Sequence, residues 1–253
     1  MTAHRQPELL GRTALVTGAS SGIGHAIAVR LAVAGASVIA TGRDQPALDA
    51  LAAQAGGHGA EIHLHRADIT DTDARAELAE AVRRQFGGLS ILIHSAGAYQ
   101  RSPMADADIS DLDHQYAVNV RAPYALTQLL LPDLLRAGRH SGGDVIFVNS
   151  TQGISASPKI GQYAATKHAL RAIADSLRAE VADADVRVCT MLPGRTATAM
   201  QRRVLQAEGR PWAPDALMAP QDVAEMVTAV LALPIRTTVT EVVMRPTRTL
   251  PPG

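Results

Sequence analysis

The fold is decided by one short glycine-rich stretch, which reads Val16-Thr17-Gly18-Ala19-Ser20-Ser21-Gly22-Ile23-Gly24. An apolar segment at residues 13–17 precedes this turn, and an Ala-rich segment at residues 23–34 continues it. Glycine has no Cβ atom, so backbone N–H groups can approach a pyrophosphate there, and the N-terminus of a following helix adds positive potential. The stretch therefore predicts a strand, a phosphate-binding turn and a helix. The spacing G-x-x-x-G-x-G differs from the common G-x-G-x-x-G, which leaves an ordinary tight connection as the alternative.

The composition is that of an ordinary globular protein. The chain has 253 residues, of which 47% are hydrophobic and 19% are charged, and this length suffices for one large α/β domain. We expect a single dinucleotide-binding domain over residues 1–253, with an insertion near residues 195–217 that forms a substrate lid. Basic and acidic residues number 24 each, so neither a nucleic acid nor an anionic membrane is indicated as a partner.

The compartment is indicated by the cysteine content and the first residues. Cys189 is the only cysteine, which excludes an intrachain disulfide and favours a reducing compartment. Residues 1–10 lack a signal-peptide core, and no segment reaches the roughly 18 apolar residues of a membrane span. We therefore expect a cytoplasmic protein. The nine histidines show no metal-ligand spacing, so no metal is expected.

Short apolar runs alternate with longer Ala-rich amphipathic runs, which is typical of a parallel sheet with helices on both faces. The predicted strands are residues 13–17, 37–41, 61–65, 91–94, 144–149, 186–192 and 239–244. The predicted helices are residues 22–34, 45–55, 71–86, 111–137, 162–182 and 220–231, with Gly35 as a C-cap and Asp71 and Asp111 as N-caps. We predict a doubly wound, Rossmann-like α/β fold whose seven-stranded parallel sheet places its ligand site at the carboxyl ends of the strands.

Tyr163 and Lys167 are four residues apart in a predicted helix and therefore share one face of it. A free tyrosine titrates near pH ~10, but a fixed positive charge nearby stabilises the phenolate and lowers its pKa. Ser150 follows an apolar predicted strand, so its hydroxyl opens on the same side of the sheet as the glycine turn. On an exposed helix, an isolated Tyr-x-x-x-Lys pair is usually only part of the solvated surface. Its meaning therefore depends on the other motifs in the chain.

In this order, the glycine turn, Ser150, Tyr163 and Lys167 closely resemble the short-chain dehydrogenase/reductase family. The resemblance covers nearly the whole chain and implies a catalytic set of Asn119, Ser150, Tyr163 and Lys167. By this resemblance Tyr163 is the general acid/base and Ser150 hydrogen-bonds the substrate oxygen. Lys167 lowers the pKa of the tyrosine and holds the nicotinamide ribose, while Asn119 positions a water that links Lys167 to solvent.

The resemblance also implies a nicotinamide dinucleotide cofactor. Asp68 matches the acidic residue that meets the adenine, and Pro193 opens the loop that clasps the carboxamide. The residues assigned to the cofactor are Gly18, Ser20, Ser21, Gly22, Ile23, Gly24, Arg43, Asp68, Ile69, Ala96, Gly97, Tyr163, Lys167, Pro193, Gly194, Thr196 and Thr198. His94 and Ser95 replace two asparagines of the family pattern, and we interpret His94 as a structural group.

The end of the second predicted strand bears on the choice of cofactor. A carboxylate at position 42 would accept the ribose 2′-OH of NAD, but Gly42 has none. Arg43 offers a planar, permanently charged donor to a 2′-phosphate, so NADP(H) is expected rather than NAD(H). Ser21 stands where many NADP-linked relatives carry a second basic residue. The alternative is that Arg43 is a solvated loop residue beside Asp44, which caps the next helix.

The segments that hold substrate in this family supply candidate contact residues here. They are Tyr99, Gln152, Ile154, Met200 and Trp212, together with Gln100 and Leu205. Such a wall suits a moderately apolar carbonyl compound or secondary alcohol, with Gln152 as one polar anchor; packing under a lid is the alternative. We therefore expect an oxidoreductase that transfers a hydride between NADP(H) and a small carbonyl or alcohol substrate.

Two other functions and an assembly remain as hypotheses. A 3-oxoacyl-thioester reductase would meet an acyl-carrier protein through Arg202, Arg203 and Arg210, although such charges are usually a solvated helix face. A non-catalytic NADP-binding redox sensor would bind the cofactor without turnover. The family resemblance implies a homodimer or homotetramer, in which residues 111–137 and 162–182 pack across a two-fold axis.

Overall fold

The computed structural model describes residues 8–249, and its centre is a seven-stranded sheet with the strand order β3-β2-β1-β4-β5-β6-β7. The strands are β1 (Thr13–Thr17), β2 (Ser37–Gly42), β3 (Ile62–Arg66), β4 (Ile91–His94), β5 (Gly143–Val148), β6 (Val186–Pro193) and β7 (Glu241–Met244). Every neighbouring pair is parallel. The predicted fold and all seven predicted strands are confirmed, with small shifts at their ends.

The described range contains eight α-helices. They are α1 (Gly22–Val33), α2 (Gln45–Gly57), α3 (Thr72–Phe86), α4 (Ile109–Tyr116), α5 (Ala122–Gly138), α6 (Gly161–Glu180), α7 (Ala199–Ala207) and α8 (Pro220–Leu231). Asp71 caps α3 as predicted, since its Oδ1 accepts from Ala74 N at 2.8 Å. The C-cap of α1 is Ala34, so the prediction for Gly35 is wrong by one position; Gly35 follows it with a φ of +94°, a conformation that favours glycine.

The long helix predicted over residues 111–137 is wrong in two respects. It begins at Ile109, and Asp108 rather than Asp111 is its N-cap, with Oδ1 accepting from Ser110 N at 2.9 Å. It is also interrupted, because a π-helical turn at Ala117–Arg121 separates α4 from α5. Wide turns of this kind insert one extra residue and are frequent at functional sites. Apolar periodicity could not reveal this turn, since a single inserted residue hardly disturbs the pattern.

Apolar side chains fill both faces of the sheet. Along β1, Ala14 and Val16 join the cluster under α1, α2 and α8, whereas Leu15 joins the cluster under α3, α5 and α6. Both faces of β5 and β6 are buried along their full length, which explains why these strands read as continuous apolar runs. The faces are thus closed, and the carboxyl ends of the strands are left as the edge at which a ligand can bind.

The predicted insertion at 195–217 contains α7, which was not predicted as a helix, and a short 3₁₀ turn at Pro214–Ala216. A parallel bridge between Thr196 and Met218 closes its base. In residues 8–249, no helix is long and apolar enough to cross a membrane. Most of the segment 1–10, on which the signal-peptide prediction rests, lies outside the described residues.

Candidate active site

Two adjoining clefts open at the carboxyl ends of the strands. The larger, of about 320 Å³, lies where the strand order switches direction between β1 and β4. We call it the cofactor cleft. The predicted cofactor residues that line it are Gly18, Ser20, Ser21, Gly22, Ile23, Gly24, Arg43, Asp68, Ile69, Ala96, Gly97, Tyr163, Lys167 and Thr198.

The glycine turn between β1 and α1 is closely packed against the backbone that follows β4. Gly18 has a φ of +67°, and a Cβ atom on it would lie 2.7 Å from the Cα of Ala96. A Cβ atom on Gly24 would lie 2.4 Å from the carbonyl oxygen of Gly18. Neither position has room for a side chain, so the glycines fix the shape of the turn that lines the cleft.

Arg43 lies at the rim of the cofactor cleft. Its side chain is 70% exposed, and Nη1 is 4.0 Å from Asp68 Oδ2, a separation at which an exposed ion pair contributes little. Burial by itself would raise the pKa of Asp68, but hydrogen bonds from the N–H and hydroxyl of Thr70 and the nearby Arg43 lower it. The neighbouring Gly42 has no side chain and therefore supplies no carboxylate here. A Cβ atom on it would lie 2.9 Å from Ser20 Oγ, so the position is also crowded. The guanidinium of Arg43 is therefore available to an anionic ligand.

Tyr163 and Lys167 lie on one face of α6, and both are buried. Lys167 Nζ is 5.8 Å from the centre of the tyrosine ring and donates to the carbonyl of Val148 at 3.2 Å. Burial lowers the pKa of Lys167 to about 8. The ammonium group thus remains mainly charged at neutral pH, beside the tyrosine and within the cofactor cleft.

Ser150 meets the hydroxyl of Tyr163. Its Oγ accepts from Gln152 N at 3.1 Å, which leaves its own proton free for the hydrogen bond to Tyr163. Burial raises the pKa of Tyr163 to about 12, although the Ser150 hydrogen bond acts in the opposite direction; nearby Tyr99 raises it further. In the protein alone, the phenol is therefore protonated at neutral pH and can act as a proton donor.

Asn119 is fully buried in the π-helical turn, where its side-chain amide makes three hydrogen bonds. Its Oδ1 accepts from Ala98 N at 2.8 Å, and its Nδ2 donates to Ala98 O at 2.9 Å and to Thr166 Oγ1 at 3.0 Å. The amide thus ties the segment after β4 to α6.

The second cleft, of about 200 Å³, shares Ile23, Asn149, Tyr163, Thr198 and Met200 with the first. We call it the substrate cleft. The ring of Tyr99 packs edge-on against Tyr163, with 4.9 Å between ring centres. Other predicted residues that line it are Ser150, Gln152, Pro193, Gly194 and Thr196.

Four of the predicted substrate residues line neither cleft in the described chain. Ile154 is exposed, and Leu205 is buried in the core. Trp212 lies against the guanidinium of Arg202, at 4.7 Å, and Gln100 hydrogen-bonds to Gln115. Residues of the same segments line the clefts, but which side chains of a segment do so depends on the local turn of the chain.

Comparison with known proteins identifies the family. The model of the short chain dehydrogenase family matches residues 12–209. The chain belongs to the short-chain dehydrogenase/reductase family. The predicted family is thus confirmed, and the protein is an oxidoreductase of this family.

Relatives of this family member match it over almost its whole length. An uncharacterized oxidoreductase of Staphylococcus saprophyticus is 32% identical over 240 residues, which is 94% of this chain and 99% of the relative. An archaeal alcohol dehydrogenase from Thermococcus sibiricus, solved with 5-hydroxy-NADP, has a TM-score of 0.84 at 26% identity, covering 96% of this chain and 99% of its own. A metagenomic short-chain oxidoreductase in complex with NADP has a TM-score of 0.80 at 31% identity, covering 96% and 100%.

In this short-chain dehydrogenase/reductase, the structure separates three arginines that the sequence grouped as one charged face. Arg203 lines the cofactor cleft together with Arg43, whereas Arg202 lies over Trp212 outside it. Arg210 lies 4.0 Å from Glu208. Arg203 is a cofactor-cleft residue that sequence reasoning missed; its position one helical turn after Ala199, next to the predicted Thr198, was the available signal.

The substrate cleft contains further residues that the sequence did not reveal. Arg101, Arg195, Gln201 and Glu208 line it, and Glu208 pairs with Arg195 at 2.8 Å and with Arg101 at 3.5 Å. They come from three separated segments of the chain, so no local sequence motif predicts that they lie together. This half of the site is more polar than the predicted apolar wall.

The remaining titratable groups of interest are structural. His94 is buried, its Nε2 is 2.8 Å from Thr127 Oγ1, its ring stacks on Phe147, and burial lowers its pKa to about 3. Burial raises the pKa of the Cys189 thiol to about 12, which leaves it unreactive. Residues 8–249 contain no cluster of three or more His, Cys, Asp or Glu side chains that could hold a metal ion.

Proposed function

We propose that this short-chain dehydrogenase/reductase transfers a hydride between NADP(H) and a small carbonyl compound or secondary alcohol. The observation that carries the proposal is the position of Tyr163: its buried hydroxyl is hydrogen-bonded to Ser150 where the two clefts meet. A protonated phenol there can give its proton to a substrate oxygen while the carbon of the same bond faces the cofactor cleft.

The donor set of the cofactor cleft supports NADP(H) rather than NAD(H). The glycine turn at the N-terminus of α1 suits a pyrophosphate. Gly42 supplies no carboxylate for a ribose hydroxyl, and the exposed Arg43 suits a 2′-phosphate. The neighbours solved with NADP and 5-hydroxy-NADP add to this support. When bound, the cofactor supplies or accepts the hydride.

The chain's own residues handle the proton. In the reductive direction Tyr163 donates its proton to the carbonyl oxygen, and the hydroxyl of Ser150 donates a hydrogen bond to the same oxygen as negative charge develops on it. The ammonium group of Lys167 then stabilises the phenolate. We place the relaying water at the main-chain carbonyl of Asn119, because the side chain is already hydrogen-bonded to Ala98 and Thr166.

A panel of aldehydes, ketones and secondary alcohols, followed by NADPH absorbance and repeated with NADH, tests the function. We expect turnover with NADPH and much weaker turnover with NADH. Tight NADPH binding without any turnover would instead favour a redox sensor. Turnover confined to thioesters, lost on charge reversal of Arg202 and Arg203, would favour the carrier-protein reductase.

We also propose that the protein assembles as a homodimer or homotetramer through α4, α5 and α6. The proposal is supported by large apolar side chains exposed on α4 and α5, namely Tyr116, Tyr124 and Leu129. Light scattering at micromolar concentration should give at least twice the mass of the 26.6 kDa chain. A monomeric mass would contradict this assembly without affecting the proposed reaction.

A further inference from the structure

We propose that the substrate carries a carboxylate, which Arg195 and Gln201 bind in the substrate cleft. This inference rests on the proposed hydride transfer and names the substrate class for it: a small oxo acid, or the matching hydroxy acid in the reverse direction. It replaces the moderately apolar substrate that the sequence led us to expect.

The charges that line the substrate cleft are unequal. Within the described chain they are two guanidinium groups, from Arg101 and Arg195, and one carboxylate, from Glu208. Glu208 is mostly buried and pairs with both arginines, so one positive charge remains uncompensated at the cleft. A partly enclosed cleft with an excess positive charge favours an anionic ligand over a neutral one.

Two hydrogen-bond donors at this cleft have no partner among the residues that the structure describes. Arg195 Nη2 donates to Glu208 Oε1 at 3.0 Å and lies 2.8 Å from Oε2, which accepts no hydrogen bond in the described chain, while Arg195 Nη1 is buried and unbonded. Gln201 Nε2 is likewise buried and unbonded. Buried donors are rarely left unsatisfied in native proteins. A carboxylate has two acceptor oxygens and can satisfy both donors, with a charge-assisted bond to the guanidinium.

A neutral, apolar carbonyl compound would leave both donors without a partner and would exclude water from them. A phosphate is also less suitable, because two free donors do not satisfy its three oxygens and its larger charge. The cleft volume of about 200 Å³ is small, which limits the substrate to a short carbon chain. These features together favour a small carboxylate.

Gln152 adds a polar contact on another wall of the cleft. Its Nε2 donates to Ser157 Oγ at 3.2 Å, and its Oε1 is buried without a partner in the described residues. A hydroxyl group on the substrate could donate to this oxygen. We therefore expect hydroxylated oxo acids to be better substrates than unsubstituted ones.

Matched pairs of substrates test the inference. Small 2-, 3- and 4-oxo acids are each compared with their primary amides, which have the same size and no charge. For the best pair, kcat/KM with NADPH should favour the acid at least tenfold. In Arg195→Gln, this preference should fall by roughly 10- to 150-fold, the range expected for one charge-assisted bond. Arg195→Lys should retain part of it.

Arg202→Gln is the matched control, because Arg202 lies over Trp212 and lines neither cleft. It should leave the preference for the acid unchanged. Because Arg195→Gln also breaks the pair with Glu208, Gln201→Leu serves as a second variant that keeps this pair intact. It should reduce the preference in the same direction but by less, since a neutral donor is lost.

Binding measured without turnover separates this inference from the proposed reaction. We expect the acid, but not its amide, to raise the melting temperature of the NADPH-loaded protein, and this shift should be lost in Arg195→Gln. If wild type reduces carbonyl compounds but treats acids and amides alike, the carboxylate proposal is overturned and hydride transfer stands. If no compound is reduced yet the acid-specific shift is present, the proposed reaction fails and the carboxylate site stands.

Discussion

The two clefts that meet at Tyr163 are built in different ways. The cofactor cleft is made largely by the main chain, from turns that follow five adjacent strands and whose shape is fixed at Gly18 and Gly24. The substrate cleft is made by side chains, above all the Arg101, Arg195 and Glu208 cluster that joins separate segments. A site made by backbone turns tolerates little change, whereas one made by side chains can be altered without changing the fold.

The difference explains why one scaffold can keep its cofactor while its substrate varies. The main-chain site depends on conformations that only a few residue types adopt, so its sequence is recognisable locally. The side-chain site depends on which residues the loops and α7 direct into a small cleft. Four predictions test this contrast, beginning with Tyr163, one of the residues that both clefts share.

Tyr163→Phe should have the largest effect on turnover. The change removes the transferable proton and keeps the ring, so kcat should fall by roughly 10²- to 10⁴-fold. NADPH affinity should change little, because the ring that lines the cofactor cleft is kept and only the hydroxyl is lost. Steady-state rates and fluorescence titration with NADPH measure the two effects.

Tyr99→Phe is the control for Tyr163. Its ring packs against Tyr163, with 4.9 Å between the ring centres. Its hydroxyl, however, is hydrogen-bonded to the side chain of Arg101. Its kcat should stay within a few-fold of wild type. A loss of less than tenfold in Tyr163→Phe would contradict the assignment of the proton donor.

Arg43→Ala should weaken NADPH binding by roughly 10- to 150-fold and leave NADH nearly unaffected, since one charge-assisted bond to the 2′-phosphate is lost. Arg203→Ala should instead weaken both cofactors slightly. Its helix, α7, is capped by Thr198, whose methyl group would lie 3.1 Å from a Cβ atom on Gly22 in the glycine turn. Dissociation constants by calorimetry measure both effects.

Arg202→Ala is the control for both arginines, and neither dissociation constant should change. Equal losses for NADPH and NADH in Arg43→Ala would show that Arg43 does not recognise the 2′-phosphate. In that event the cofactor cleft would depend on its main chain alone, and its difference from the substrate cleft, which side chains build, would be larger.

Two glycine substitutions test the main-chain character of the cofactor cleft directly. Gly24→Ala places a Cβ atom 2.4 Å from a carbonyl oxygen, so the free energy of unfolding should fall by about 1–3 kcal/mol. Gly56→Ala in α2 meets nothing within 4 Å and should raise it by about 0.4–1 kcal/mol. Urea denaturation measures both. A neutral Gly24→Ala would mean that the turn is not confined by its neighbours.

The titration of Lys167 should change turnover less than Tyr163→Phe does. With a pKa of about 8, the ammonium group loses its charge between pH 7 and 9. The reductive kcat/KM should therefore fall roughly tenfold over this interval, as the charged fraction does. In Lys167→Arg the side chain stays charged, so the decline should disappear even if the overall rate is lower. A flat wild-type profile up to pH 10 would contradict the prediction.

The same shift affects stability in a defined direction. Lys167 binds its proton less readily in the native state than in the unfolded chain, where its pKa is near the usual 10.5. Between pH 8 and 10.5 the unfolded state holds more protons, so this residue makes the free energy of unfolding rise with pH. Comparison with Lys167→Arg isolates the contribution.

The sequence by itself determined the strands, most of the helices and many of the residues that line the cofactor cleft. Alternating periodicities, the glycine turn and the spacing of Tyr163 and Lys167 are local features, and local features can be recognised directly in the sequence. Only the tertiary structure decided the π-helical turn that holds Asn119, the separation of Arg203 from Arg202, and the charged cluster around Glu208. These depend on a single inserted residue, on the rotation of α7 and on contacts between distant segments, none of which leaves a periodic trace in the sequence.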